Sequence, residues 1–302
     1  MRDAAAAMAA PPPHVSTFVR WLATPWTRVR RAVLRRRLGR AVFERVLGRR
    51  FIIWPGVFNP VVFRTGRFLA EFVARSGLLQ PEEGSAAALD LGTGCGILAI
   101  FAALRGYRVT AVDIVPEAVS CARANAILND VELEVLAGDL LAPVAGRQFD
   151  RVVFSLPKFR GSPINHFDQS WRSEDVIDRL AAGLPAVLKP DGIAFFVLTS
   201  HGDCNSLLAG LATAGLAVER LFWRHFGVET MAIYAARHRA RIEPPNRSTM
   251  ACGSAADSID RHIAASGSLT CLRQPLQASG DSSADPGISP ARDSSSSTIS
   301  PA

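Results

Sequence analysis

The chain predicts an α/β fold, a sheet of parallel strands with helices on both faces. Three observations carry that expectation. Residues 86–100, AAALDLGTGCGILAI, run from small apolar residues into Asp90 and through the turn Gly92-Thr93-Gly94-Cys95-Gly96. A helix-forming apolar run, Ile97 to Leu104, follows at once. Strand, tight turn and helix in that order offer a backbone loop to a ligand at the end of a strand. Second, Arg108 to Asp113 reads as a strand closed by an acid, and Pro116-Glu117 opens a helix. Proline is tolerated at the first helical position, and a carboxylate suits the positive end of the helix dipole. Third, Phe149 to Phe154 repeats the strand pattern further along.

The remaining elements follow in chain order. Phe51 to Trp54 reads as a short apolar strand, Pro55-Gly56 as a turn, and Phe68 to about Ser76 as a helix, with Phe63 and Phe68 as core. The helix opened by Pro116 runs to about Asn129, and Val131 to Leu136 alternates as a strand. Leu184 to Val187 closes another helix, Leu188 to Gly192 forms a turn, and Ile193 to Leu198 is a strand. The loop of residues 160–172 is long and punctuated by Gly and Pro. It leaves the end of a strand where α/β sheets bind ligands, so it is expected to contact substrate.

The glycine spacing selects the ligand. A dinucleotide fingerprint counted from Gly92 would need a third glycine where this chain has Ile97. The pattern here is D-x-G-x-G-x-G, with Asp90 two residues before Gly92. It resembles the first motif of class I S-adenosylmethionine (SAM) dependent methyltransferases, and the features downstream keep that family's order. The resemblance implies a Rossmann-like seven-stranded sheet that closes in an antiparallel hairpin, matched here by Leu216 to Trp223 and Glu229 to Ala235. That places the end of the folded core near Arg239. It also implies SAM as cofactor, with Asp113 accepting from both ribose hydroxyls, beside Ile114, and Asp139 and Leu140 at the adenine amino group. Asp90, Gly92, Thr93, Gly94 and Gly96 form the loop. Residues 51–80 resemble the stretch before this motif in methyltransferases related to release-factor glutamine methyltransferases, with Thr65 expected nearest the cofactor.

One motif departs from that family. Its fourth strand ends in Asn-Pro-Pro-Tyr, whose Asn side chain and following carbonyl take both N–H bonds of the target nitrogen. Here the residues are Ser155-Leu156-Pro157-Lys158. The Leu156 carbonyl remains and the Ser155 hydroxyl accepts one bond with a shorter reach, while Lys158 cannot stack as tyrosine does. Ser155 also counts among the cofactor contacts. Two mechanisms stay open. In one, Ser155 and the Leu156 carbonyl orient an amide or amine nitrogen and catalysis is by proximity. In the other, Lys158 accepts a proton from a small-molecule nucleophile. His166, Asp168 and His201 are weaker candidates for a general base.

Composition bounds the rest. No apolar run reaches the ~18 residues of a membrane span, and the start of the chain lacks the apolar segment of a secretory signal. The five cysteines show neither metal-ligand pairing nor disulfide spacing, which suggests a cytoplasmic protein. The first 50 residues hold twelve arginines against two acids, so the basic excess of the whole chain lies there. Arg28 to Arg50 interleave with apolar residues at three- and four-residue steps, which predicts one or two amphipathic helices. That face is either a platform for RNA or another anionic partner or a solvated cap on the catalytic domain. The expected organisation is 1–14 disordered, 15–80 a basic helical segment with a loop facing the site, 81–240 the catalytic core, and 241–302 a disordered Ser- and Pro-rich tail. The function expected is methyl transfer to a nitrogen of a protein glutamine-like amide or to a small-molecule nucleophile. RNA-base methylation, or SAM binding without catalysis, are the alternatives, and the oligomeric state is left open.

Overall fold

The computed structural model describes residues 9–18, 39–81, 86–155, 159–162 and 172–239. The expectations for residues 1–8, for the arginines from Arg28 to Arg37 and for the tail 241–302 lie outside them.

The chain's first regular unit is a hairpin, β1 (Val42–Val46) and β2 (Arg49–Ile53). This corrects the helix expected through Arg50. Val42, Phe43, Val46 and Leu47 satisfy a helical period, but in the strand they fall on both faces, with Val46 and Glu44 turned inward and Phe43 outward. The turn decides: Leu47 and Gly48 both take positive φ, at 48° and 81°, the geometry of a tight primed hairpin turn. Two helices follow, α1 (Pro60–Phe63) and α2 (Thr65–Arg75).

The α/β core comprises β3 (Ala87–Leu91), α3 (Ile97–Leu104), β4 (Arg108–Asp113), α4 (Pro116–Leu128), β5 (Glu134–Ala137) and β6 (Phe149–Phe154). After two-residue strands β7 (Phe159–Arg160) and β8 (Arg172–Ser173) come α5 (Val176–Val187), β9 (Leu188–Thr199), α6 (Cys204–Thr213), β10 (Leu216–Phe226) and β11 (Glu229–His238). The sheet order is β10-β11-β9-β6-β3-β4-β5. The five strands from β9 to β5 are parallel and β11 is antiparallel to β9. This is the seven-stranded class I methyltransferase sheet that the resemblance implies. Connections from β3 go outward to β4 and β5, then return to β6 and β9 on the other side. The order therefore reverses between β3 and β6, and ligands bind at such a switch point, beyond the carboxyl ends of the strands.

Both faces of the sheet are buried. Ala88, Val153, Phe195 and Ile233 pack on one face with α2 and α3, while Leu89, Phe154, Phe196 and Tyr234 pack on the other with α5 and α6. That alternation is the two-residue period of a strand. Phe154, Phe196 and Tyr234 are register partners across β6, β9 and β11. Their rings stack at 4.9 and 5.5 Å between centroids, which braces the carboxyl end of β6 directly before Ser155.

Several boundaries differ from expectation. The strand expected from Val131 begins at Glu134. The turn expected at Leu188–Gly192 is instead an irregular start to β9: Phe149 pairs with Leu188 and Arg151 with Ile193, so the extra residues bulge. Gly192 is required there, because a Cβ would meet the Phe149 carbonyl oxygen at 2.8 Å. Residues 9–14, expected to be disordered, are held to the sheet. The Tyr234 hydroxyl donates to the Ala10 carbonyl at 2.8 Å, and Arg220 donates to the Pro11 carbonyl at 2.7 Å.

Candidate active site

The glycine turn folds over the end of β4. Gly92, Gly94 and Gly96 take φ of 67°, 56° and 80°, a region that side chains disfavour. The amides of Gly92 and Thr93 both donate to the Val112 carbonyl, at 2.9 and 3.0 Å. Beneath the turn, Asp90 is fully buried. Its Oδ2 accepts from the Thr93 hydroxyl at 2.7 Å and from the Ala99 amide at 3.0 Å. Ala99 is the third residue of α3, so Asp90 satisfies a free helix-end donor that Gly96, as N-cap, cannot. Among the described residues, the other oxygen, Oδ1, has no hydrogen-bond partner.

Burial pushes the Asp90 carboxyl up to about 7, against the opposing bonds from Thr93 and Ala99. An acid raised in the folded state holds its proton after the unfolded chain has lost it. Its contribution to stability is therefore complete below the ordinary carboxylate range and is lost as pH rises toward about 7. Asp90→Asn removes that titration. Between pH 4 and 7, the variant's stability in urea unfolding should fall less steeply than the wild type's, by up to ~1.4 kcal/mol per pH unit. Equal slopes would contradict this reading of Asp90.

At the end of β4, Asp113 is nearly buried. Its Oδ2 accepts from the Gly94 amide at 2.8 Å and its Oδ1 from the Val115 amide at 3.0 Å. Each oxygen keeps capacity for a second donor. Burial raises this carboxyl too, opposed by those amides. Asp113 lines a cavity of about 240 Å³ that also takes in Gly92, Thr93, Gly94 and Ile114. Beyond β5, Asp139 and Leu140 line the same cavity. There the Arg179 guanidinium from α5 donates to Asp139 and pairs with Asp175 at 3.0 Å. The sequence had not marked Arg179, although an arginine four residues after Asp175 in a helix's first turn carries that signal.

The opposite wall comes from the segment after the hairpin, through Gly56, Val57, Phe58 and Pro60. Asn59 is buried between them. Its Oδ1 accepts the amides of Val61 and Val62 at 2.9 and 3.1 Å, and its Nδ2 donates to Glu44 on β1 at 3.1 Å. Thr65 is buried at the start of α2, and its neighbour Gly66 is the residue that lines the cavity. A second missed residue is Asn125 of α4, fully buried. It accepts from the Ile52 amide at 2.7 Å and donates to the Ile52 and Cys95 carbonyls at 2.7 and 2.9 Å. One side chain thus ties the hairpin to the glycine turn. A lone amide in the otherwise small and apolar face of α4 was its sequence signal.

Ser155, directly after β6, opens onto the cavity. Leu156, Pro157 and Lys158, like His166 and Asp168, lie outside the described residues. The base of the following loop is anchored by Arg160, which bonds Asp203 at 2.6 Å and Asp178 at 2.7 and 2.8 Å. His201 faces Glu229 at 3.9 Å and does not line the cavity. Asp90 and Gly96 likewise support the turn from behind rather than lining it.

Residues 50–219 match the family described as Methyltransferase small domain. The chain belongs to that family. A ribosomal RNA small subunit methyltransferase C from Alcanivorax borkumensis is 30% identical over 48% of this chain and 41% of its own. A release factor glutamine methyltransferase from Shewanella oneidensis is 35% identical over 59% of this chain and 66% of its own. The chain thus spans about half the length of the curated relatives it matches. A solved 16S rRNA N2 G1207 methyltransferase of T. thermophilus, with AdoMet and guanosine bound, is 24% identical with a TM-score of 0.48, covering 66% of this chain and 50% of that one.

SAM is the cofactor of this methyltransferase domain, and the residues fit it. A Cβ on Gly94 would stand 4.0 Å from the Phe58 Cβ, so the missing side chain leaves open the gap between two cavity walls. Ile114 is 55% exposed within that cavity, apolar surface that a flat heterocycle would cover. The carboxylates of Asp113 and Asp139 supply acceptors for hydroxyl and amino groups.

Proposed function

We propose that this protein transfers the methyl group of SAM to a nitrogen acceptor, of a protein side-chain amide or a related nucleophile, in a reducing, cytoplasmic setting. One observation carries the reading: Ser155 and the Asp113–Asp139 side open onto one cavity, beside the switch point of the sheet. The names of relatives support it, since they specify ribosomal RNA, ribosomal protein L11 and release-factor glutamine as targets. Cys95, Cys121 and Cys204 are buried thiols, which supports the compartment.

SAM would supply an electrophilic methyl; as its carbon–sulfur bond breaks to leave S-adenosylhomocysteine, the acceptor nitrogen's lone pair forms the new carbon–nitrogen bond, and that nitrogen then gives up one N–H proton to solvent. The protein's part is to position and to exclude water. Asp113 takes the ribose hydroxyls and Asp139, held by Arg179, the adenine amino group, with Thr93 and Gly94 along the remainder. The Ser155 hydroxyl takes an N–H bond of the acceptor and so turns its lone pair toward the methyl. Incubation with methyl-labelled SAM and cell extract, fractionated into protein, RNA and small molecules, identifies the acceptor. Ser155→Ala should lower kcat by roughly 10- to 100-fold with SAM affinity nearly unchanged, the loss of about one oriented hydrogen bond to a reacting group. An unchanged kcat would exclude Ser155 from the reaction.

A further inference from the structure

The structure assigns a second surface: the outer face of the β1–β2 hairpin is a docking site for RNA, adjoining the wall of the methyl-transfer cavity. The cross-strand register puts Phe43 opposite Ile52 and Arg45 opposite Arg50. Glu44, Val46, Phe51 and Ile53 turn to the buried side, which leaves the other side of the ribbon facing outward. On it Phe43 is 72% exposed, and Arg45 and Arg50 are exposed beside it. Arg49 at the turn and Arg40 just before β1 are exposed as well. Among the described residues none of these four arginines forms an ion pair, although Glu134, Asp139, Asp150, Asp178 and Asp203 all engage cations elsewhere.

This arrangement carries a cost in the free protein. Like charges directly opposite on a ribbon destabilise it, and a large exposed ring gains nothing from water. Both costs vanish against one kind of partner, a chain of phosphates carrying flat bases. Guanidinium groups bond phosphate oxygens in pairs, and an exposed ring stacks a base whatever its sequence. A lipid surface would call for several apolar side chains to insert, and Phe43 stands alone beside the half-buried Ile52. An acidic peptide would satisfy the arginines and leave the ring unused.

Position connects this face to the chemistry. Three residues beyond Ile53 the chain reaches Gly56 in the cavity wall, a span of at most ~10 Å. Asn125 bonds both backbone groups of Ile52 and the Cys95 carbonyl of the glycine turn, so the ribbon and the cavity are held in fixed relation. The inference rests on the methyl-transfer reading only for the purpose of docking; the binding itself is measured without cofactor.

The test is fluorescence anisotropy of a labelled mixed-sequence RNA stem–loop against the full chain across a salt series, with phosphatidylserine vesicles and polyglutamate as competitors. Arg45→Gln with Arg50→Gln should reduce the slope of log affinity against log salt by about 1.5, the loss of two phosphate contacts. Phe43→Ser should weaken binding roughly 5- to 100-fold with the slope unchanged, because stacking releases no counterions. The double arginine variant removes a like-charge pair, so circular dichroism should show it unfolding no earlier than wild type. Absence of RNA binding, an unchanged slope in the arginine variant, or stronger competition by vesicles or polyglutamate than by unlabelled RNA overturns the assignment. Failure to bind SAM would sink the methyl-transfer reading and leave these results readable.

Discussion

Asp113→Ala is expected to weaken SAM binding by a factor of about a hundred or more. The carboxylate stands at the end of β4 with one amide on each oxygen and capacity for one more donor on each. Two ribose hydroxyls bonded to a charged acceptor are worth ~1.5–3 kcal/mol each, which sets that factor. The Gly94 and Val115 amides also lose their acceptor, so the turn that faces the cofactor slackens at the same time. Asp113→Asn keeps one acceptor oxygen and should fall between the two. Burial already disfavours this charge, so the alanine variant should remain folded. Calorimetric titration measures the ratio, and a change of less than about tenfold would remove Asp113 from the cofactor site.

Gly96→Val is expected to damage the fold around the site severely. Gly96 has φ of +80° and leads into α3, and a Cβ there would meet the Cα and Cβ of Ala122 at 3.2 Å. Ala122 is buried in α4, whose neighbouring turn is locked by the Asn125 bonds, so it cannot easily move aside. Left-handed strain costs ~1–2 kcal/mol and overpacking a further ~1–3. Together they take a large part of the ~5–15 kcal/mol that holds an ordinary domain together. Thermal unfolding should show a midpoint lowered by roughly 5–15 °C. Gly48→Ala is the contrast: φ is similar at +81° but nothing lies within 4 Å of its Cβ, so only the strain remains. Equal losses in the two variants would show that contact with α4 is unimportant.

The sheet was legible because its signals are local and repeated. α3, β4 and β6 fall on the residues where apolar runs and closing acids placed them, and the glycine turn lies at the cavity they imply. The basic hairpin was not legible by periodicity, since the apolar residues at 42, 43, 46 and 47 follow a helix's period, while a strand places them on both faces. The positive φ at Leu47 and Gly48 separates them, and a leucine at 47 gives no warning of it. The bulge at the start of β9 reads as a turn in the sequence because Pro190-Asp191-Gly192 has the composition of one. At the site, the loop residues and Asp113 were visible as a motif. Phe58, Asn125 and Arg179 were not, because their roles depend on contacts between segments far apart in the chain. Asp90 was visible as a motif residue, yet its role beneath the turn, bonded to the start of α3, appears only in three dimensions.

Calorimetric titration of the full chain with SAM puts the cofactor site to its plainest test. Saturable binding at one molecule per chain, displaced by S-adenosylhomocysteine and untouched by nicotinamide dinucleotide, is the result that follows from the glycine turn and the two carboxylates. Absence of heat at saturating SAM, or displacement by the dinucleotide, would contradict it.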